Sequence, residues 1–404
     1  MQPNEIQQLK QKAVGFYRAK DYNAALSLYG DLFSRYGNEC NEWDKRYYAW
    51  CIYHLEVKKR NNEIGGNESS FIKAANTILN LTPRSDLVYT ITTLKVLDYL
   101  KSKKLFPAKE ILIWTEKLDP FCLSIDCFSY RDEEGKMREI SSHKEKYYAL
   151  RTKALEETRQ YEECLKLSNE ALSCLKKFHF DNDIWFKRRV ALCNGHLGQK
   201  ELAIEELKQI LFRKRDWFIQ YEIANFCLDL KRLSDAFEYA VDAALNYGRL
   251  EYKCELFFLL GKILQTQGKL EDAKKHILLS YQLRKDNNWK IPQELQFNVK
   301  ELQVDVNNTL TSKQIYQELK GYWQFTKKSN SPKLRGKIKN ILPNDIAGFI
   351  SDENNKDYYF KIKDFTGRKN DIRRGLEVEF SLEKSYDKKK ERESERAIDI
   401  NPLN

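Results

Sequence analysis

Three alanines, Ala203, Ala236 and Ala273, stand 33 and 37 residues apart, each in the same setting: two apolar-periodic stretches with a short polar turn between them. A period near ~34 residues is that of a repeated helix pair, and such a chain buries its apolar faces only by stacking each pair on the next. The last copy shows how. Leu260, Gly261 and Leu264 share one face of a first helix, Ala273 and Ile277 the facing side of a second, and the turn lies at Gly268-Lys269. Small Gly261 and Ala273 let the two helices approach closely. The same text recurs around Tyr22-Asn23-Ala24-Ala25, around Ala108 and Leu112, around Tyr161, Cys164 and Ala171 with cysteine at the small position, and around Gly198, Ala203 and Leu207.

This pattern resembles the tetratricopeptide repeat. About seven helix pairs fill residues 5–286, the earlier ones looser: residues 47–53 and 71–83 read as two helices separated by a polar loop over 61–70. Residues 121–144, with Cys122, Cys127 and Gly135, read as an insertion between copies, a long loop or a short hairpin. Residues 292–306 and 311–327 carry apolar residues at helical spacing, with Thr311 or Ser312 as N-cap, and are expected to close the apolar end of the array. The helical text stops at Lys327-Lys328-Ser329-Asn330-Ser331-Pro332, read as a linker. The expected division is therefore a repeat array over 1–286, capping helices and linker over 287–332, and a second domain over 333–404.

In that last segment the period changes to two. Residues 334–341, 347–351, 358–363, 376–382 and 397–400 read as five short strands, with turns at 343–345, 354–355 and 374–375. Five short strands in so short a segment suit a small barrel. Gly336-Lys337-Ile338-Lys339, Gly348-Phe349-Ile350, Asp357-Tyr358-Tyr359-Phe360-Lys361, Gly375 to Phe380 and Arg396 to Ile400 follow in the order of a cold-shock domain, which the segment resembles. That resemblance implies an OB-fold barrel whose adjacent strands present rings to single-stranded bases. Phe349 and Tyr359 match two of those ring positions, and Lys361 replaces the family's stacking histidine. Asn340 and Ala347 replace a tryptophan and a phenylalanine, so two platform rings are absent. At roughly 1–3 kcal/mol per stacked base, that weakens the barrel as a binder. Arg335, Lys337, Lys339, Lys361, Lys363, Arg373 and Arg374 could compensate by neutralising phosphates. The competing reading makes the rings partly exposed barrel aromatics of a protein-binding module. Residues 388–396, mixed in sign, read as a solvated loop between the last strands.

The repeat resemblance implies a concave groove lined by the first helix of each pair. Matching positions are Lys10, Tyr17, Arg18, Lys153, Trp185, Arg188, Phe218, Tyr221, Phe258 and Lys262. Alternating rings and cations suit an acidic or extended peptide, and equally single-stranded nucleic acid. The alternative for Trp185 and Phe218 is a place in the core between repeats.

Composition sets limits. At 404 residues, 42% hydrophobic and 13% aromatic, the chain is too apolar for disorder, and it holds no apolar run of ~18 residues for a membrane span. Only 16 Gly and 8 Pro argue for a mainly helical architecture. The net charge of +11 leans toward a polyanionic partner. Nine cysteines without a C-x-x-C pair indicate free thiols in a reducing compartment, and Met1 to Glu5 lead into no secretory signal, so a cytoplasmic location is expected.

The motifs of catalysis are missing from the text. Gly261-Lys262, Gly268-Lys269 and Gly336-Lys337 are each followed by an aliphatic residue rather than the hydroxyl of a P-loop. His54, His143, His179, His196 and His276 show no metal-ligand spacing, and Cys122 with Cys127 lacks a second pair, so no metal, cofactor or enzymatic activity is expected. The expected molecule is an adaptor: an α-solenoid that recruits a protein partner, joined to an OB-like barrel that binds RNA or single-stranded DNA. The alternative is a pure protein scaffold with a degenerate barrel, such as a component of a prokaryotic nucleic-acid defence system.

Overall fold

The computed structural model describes residues 3–307, 310–330, 333–343, 346–387 and 392–403. By its contacts the chain divides into two compact units, Met1–Gln199 and Lys200–Asn404.

The first unit begins with α1 (Pro3–Arg18) packed on α2 (Tyr22–Tyr36), followed by α3 (Glu42–Ile52). Asn41 caps α3: its side chain accepts from the Trp43 and Asp44 N–H groups, and Asp44 accepts from the Asn41 N–H in return. One π-helical turn, Tyr53–Val57, continues α3. The expected loop over 61–70 contains a short helix, α4 (Asn61–Gly65), because Ile64 turns into the core and pins it. Then come α5 (Glu68–Leu81), α6 (Leu87–Ser102), α7 (Ala108–Thr115), α8 (His143–Glu157), α9 (Tyr161–Cys174) and α10 (Asn182–His196). The repeat shows in its side chains. Tyr22 at the start of α2 stacks on His54 just past α3, centroids 4.2 Å apart, and Tyr161 at the start of α9 stacks on His196 at the end of α10, 4.3 Å apart. Cys164, at the small position of its copy, is buried.

The insertion is a hairpin, β1 (Phe128–Arg131) antiparallel to β2 (Met137–Ile140), with Phe128 opposite Ile140. Gly135 takes a φ of +77° at the turn, where Asp132 accepts from the Glu134 and Lys136 N–H groups.

The second unit continues with α11 (Lys200–Arg213), α12 (Trp217–Asp229), α13 (Leu233–Leu245), α14 (Cys254–Thr266) and α15 (Leu270–Asp286). Along α14 and α15 the sequence pattern is realised atom by atom. A Cβ on Gly261 would lie 2.5 Å from Ile277 Cγ1, so only glycine permits this approach. Next are α16 (Gln293–Glu301) and α17 (Ser312–Asn330). Thr311 caps α17, accepting from the Gln314 N–H. The last helix packs on α15 and α13, burying Trp323 face to face with Phe257. It runs through Asn330, so the linker read from Lys327 is helical to that point, and residues 331–332 lie outside those described.

Five strands then close a barrel: β3 (Lys333–Ile341), β4 (Ala347–Asp352), β5 (Asp357–Lys361), β6 (Glu377–Asp387) and β7 (Arg392–Pro402), in the order β3-β4-β5-β7-β6. Its pairs are antiparallel except β5 with β7. Inward-facing Ile338, Ile350, Phe360, Val378, Phe380 and Ile400 fill it. The stretch 388–396, expected as a loop, is strand from Arg392 onward because Arg396 pairs with Glu383 across the ladder at 2.6 Å; residues 388–391 lie outside those described. The expected turn at 343–345 also falls partly there, at 344–345. Gly375, with φ +84°, makes the turn into β6 and donates to Ile338 O.

Candidate nucleic-acid and partner surfaces

On β4 and β5, Phe349 and Tyr359 are directly opposed and half-buried, their rings edge to face with centroids 5.8 Å apart. Their inward neighbours Ile350, Tyr358 and Phe360 belong to the barrel core, so alternation puts this ring pair on the outer face. Ala347, opposite Lys361, is buried, while Asn340, opposite Phe349, is exposed; neither supplies a ring. Close approach of β3 and β4 depends on two glycines. A Cβ on Gly336 would fall 2.4 Å from Ser351 O, and one on Gly348 2.5 Å from Asn340 O.

The basic residues divide into two groups. Lys337 pairs with Glu377 at 2.9 Å and Lys339 with Asp357 at 2.5 Å, where Ser351 Oγ also donates to Asp357. These two bonds hold the Asp357 carboxyl below its usual range, the Lys339 bond most. Arg335 lies opposite Glu379, which is held low chiefly by Lys333 and more weakly by Arg335. Lys361, Lys363, Arg373 and Arg374 form no salt bridge among the described residues, and the Gly375 hydrogen bond to Ile338 brings Arg373 and Arg374 beside β3. Residues 333–404 carry 17 Lys and Arg against 14 Asp and Glu, so most of the +11 lies in the helical part. The barrel is therefore no strongly basic module.

The repeat positions are more constrained than the sequence suggests. In the first unit, Lys10 is tied to Asp44 at 2.8 Å, joining α1 to α3. Tyr17 packs on Tyr47 and Tyr22, while Arg18 is exposed. Lys153 lies 4.0 Å from the Phe106 ring centroid, Trp185 is half-buried, and Arg188 is held by Glu156 at 3.0 Å. In the second unit, Phe218 and Tyr221 are half-buried around Trp217. Phe258 corrects the sequence reading: at 5% exposure it is core, because α14 buries nearly its whole circumference. Lys262 covers that ring at 5.1 Å and pairs with Glu294 at 3.1 Å.

One cluster has no counterpart in any spacing of the sequence. Cys127 before β1, Glu139 on β2 and His179 between α9 and α10 bring their sulfur, oxygen and nitrogen atoms within 4.8 Å of one another. His179 Nε2 is 2.6 Å from Glu139 and Nδ1 is 2.8 Å from Glu145, a carboxylate that is itself fully buried. Sequence separations of 12 and 40 residues hide the set; the one signal was an unexplained insertion carrying a cysteine.

Comparisons with known proteins add little. No family model matches the chain, and no curated protein matches it. Among solved structures it is similar to the Cut9–Hcn1 hetero-tetramer of APC/C, at 12% identity over 80% of this chain and 57% of the other, with a TM-score of 0.36. It is also similar to PilW, a type IV pilus biogenesis factor, at 14% identity over 72% and 97% with a TM-score of 0.28. A third is TTC0263, a tetratricopeptide protein of Thermus thermophilus, at 15% over 64% and 99% with a TM-score of 0.23. Among the described residues no helix is long and apolar enough to cross a membrane.

Proposed function

We propose that the chain is a non-enzymatic adaptor: tetratricopeptide-like helix pairs over 1–286 recruit a protein partner, helices over 287–332 close the array, and an OB-type, cold-shock-like barrel over 333–404 engages RNA or single-stranded DNA. The observation that carries the nucleic-acid part is the Phe349–Tyr359 pair on the outer face of adjacent strands, next to Lys361, which forms no ion pair among the described residues. The half-buried rings on the outer face offer stacking that tolerates any base, and Lys361, Lys363, Arg373 and Arg374 offer phosphate contacts that break no salt bridge present among the described residues. The strand order, with its single parallel pairing, fits the OB-type reading. The modest barrel charge makes its own affinity weak, so tethering to a partner held by the repeats would raise it through effective concentration.

The test is fluorescence anisotropy of labelled single-stranded RNA and DNA against the full chain at two salt concentrations. Binding should weaken with salt and fall about 5- to 100-fold in Phe349→Ala or Tyr359→Ala. Absence of any salt-dependent binding would leave the second reading, a protein scaffold with a barrel that has lost nucleic-acid recognition. Its specific support is the ring-free pair Asn340 and Ala347 together with the neutralised Lys337 and Lys339.

A further inference from the structure

The hairpin of β1 and β2 presents a physical problem. Each strand is four residues long and Phe128, Tyr130, Met137 and Ile140 are exposed, whereas a two-stranded hairpin without a covered apolar face is marginal in water. What fixes it lies at its base, where Cys127, Glu139 and His179 converge.

We propose that Cys127 Sγ, the Glu139 carboxylate and His179 Nε2 bind a zinc-type transition-metal cation that staples the hairpin to the turn between α9 and α10. The set mixes a thiolate, an imidazole and a carboxylate, the ligand types zinc takes, and three protein ligands leave one tetrahedral corner for water. An all-oxygen cluster would instead favour magnesium or calcium.

The surroundings have the form of a metal site's outer layer. Glu145 at the start of α8 is fully buried and fixed, its Oε1 accepting from the His179 backbone N–H at 2.7 Å and from Asn182 Nδ2 at 2.8 Å. Its Oε2 takes the Nδ1–H of His179 at 2.8 Å, which directs Nε2 toward Glu139 and Cys127. A buried carboxylate fixing the far nitrogen of a ligating histidine is the arrangement that orients such ligands. Lys177 donates to Glu139 at 2.7 Å and has an exposed side chain, so its ammonium can return to water when a cation arrives.

The proton balance is simple. The cation replaces the proton between His179 Nε2 and Glu139 and the proton of the Cys127 thiol, releasing two protons for each ion bound. One thiolate and one carboxylate then neutralise a divalent charge.

The experiment uses the full chain, stripped with chelator and titrated with Zn²⁺ alone, with Co²⁺ as a spectroscopic probe. The expected result is one equivalent bound, with Co²⁺ giving a thiolate-to-metal absorption band. Cys127→Ser should abolish that band, and Glu139→Gln and Glu145→Gln should each weaken binding about 10- to 100-fold, while Cys122→Ser changes nothing. Glu139 lies near the surface, so its variant tests the site even if another variant fails to fold. No uptake of either ion by the folded chain, or uptake unchanged in Cys127→Ser and Glu139→Gln, overturns the proposal.

Discussion

Trp323 Nε1 donates a 2.8 Å hydrogen bond to His276 Nε2, joining the last helix to α15 through two buried rings. The other ring nitrogen, Nδ1, faces Asp272 O at 2.7 Å, so the imidazole is neutral and protonated on Nδ1. Burial is the main reason its pKa is lowered to about 4; Asp272 acts in the opposite direction and Lys275 with burial. Tyr322, whose hydroxyl donates to Asp272, completes the surroundings. A folded pKa below the unfolded value near ~6.5 means that only the unfolded chain takes up this proton as pH falls from about 6.5 to about 4. Stability is therefore full above that window and lost within it, by up to about 3 kcal/mol. Urea unfolding of the native chain and of His276→Gln at pH 7 and pH 4.5 checks this: the native chain should lose about 2–3 kcal/mol more than the variant between the two.

The neighbouring pair α14 and α15 supports a packing prediction. The Cβ of Gly261→Ala would meet Ile277 Cγ1 at 2.5 Å and the Ala273 carbonyl at 3.4 Å. Overpacking of this kind costs about 1–3 kcal/mol. Ile277→Ala removes the clashing atom, so the double variant should cost less than the sum of its singles. Additive values in urea titrations would mean that the two helices move apart instead.

These outcomes rest on features that differ in how openly the sequence displayed them. Gly261, Ala273 and Ile277 were legible because a repeated helix pair writes its contact face at fixed spacing, and Phe349 with Tyr359 because strand alternation separates inner from outer rings. Phe258 was misplaced because α14 is buried on nearly all sides, which erases the difference between groove and core. Lys10, Arg188 and Lys262 read as available cations, yet each has a carboxylate partner from another helix, information that only tertiary contact supplies. Cys127, Glu139 and His179 escaped for the same reason: they come from a hairpin and a distant turn, and no local pattern encodes their meeting.

Pairing should also rank the barrel cations in any nucleic-acid complex. Removing a cation that contacts phosphate lowers the slope of log affinity against log salt by about 0.7 for a single strand. Lys361→Ala and Arg374→Ala should show that change. Lys337→Ala should show less, because its ammonium already faces Glu377 at 2.9 Å. Anisotropy titrations across a salt series measure each slope, and equal slopes for all three variants would contradict the ranking.

Lys253 yields the last prediction. Its side chain is buried, and its ammonium donates to Ala243 O at 3.0 Å, Ala244 O at 3.2 Å and Asn246 O at 2.5 Å, serving carbonyls at the C-terminal end of α13 that have no partner within the helix. Burial lowers its pKa to about 8, so the group is mostly charged at neutral pH. Lys253→Met keeps the apolar stem and leaves those carbonyls without their donor, which should cost about 2–4 kcal/mol, more than loss of an exposed lysine. The trade between desolvating an ammonium and capping a helix end is resolved here toward the cap, because three acceptors converge on one donor. A Lys253→Met chain as stable as the native one in urea would mean that desolvation cancels the cap entirely.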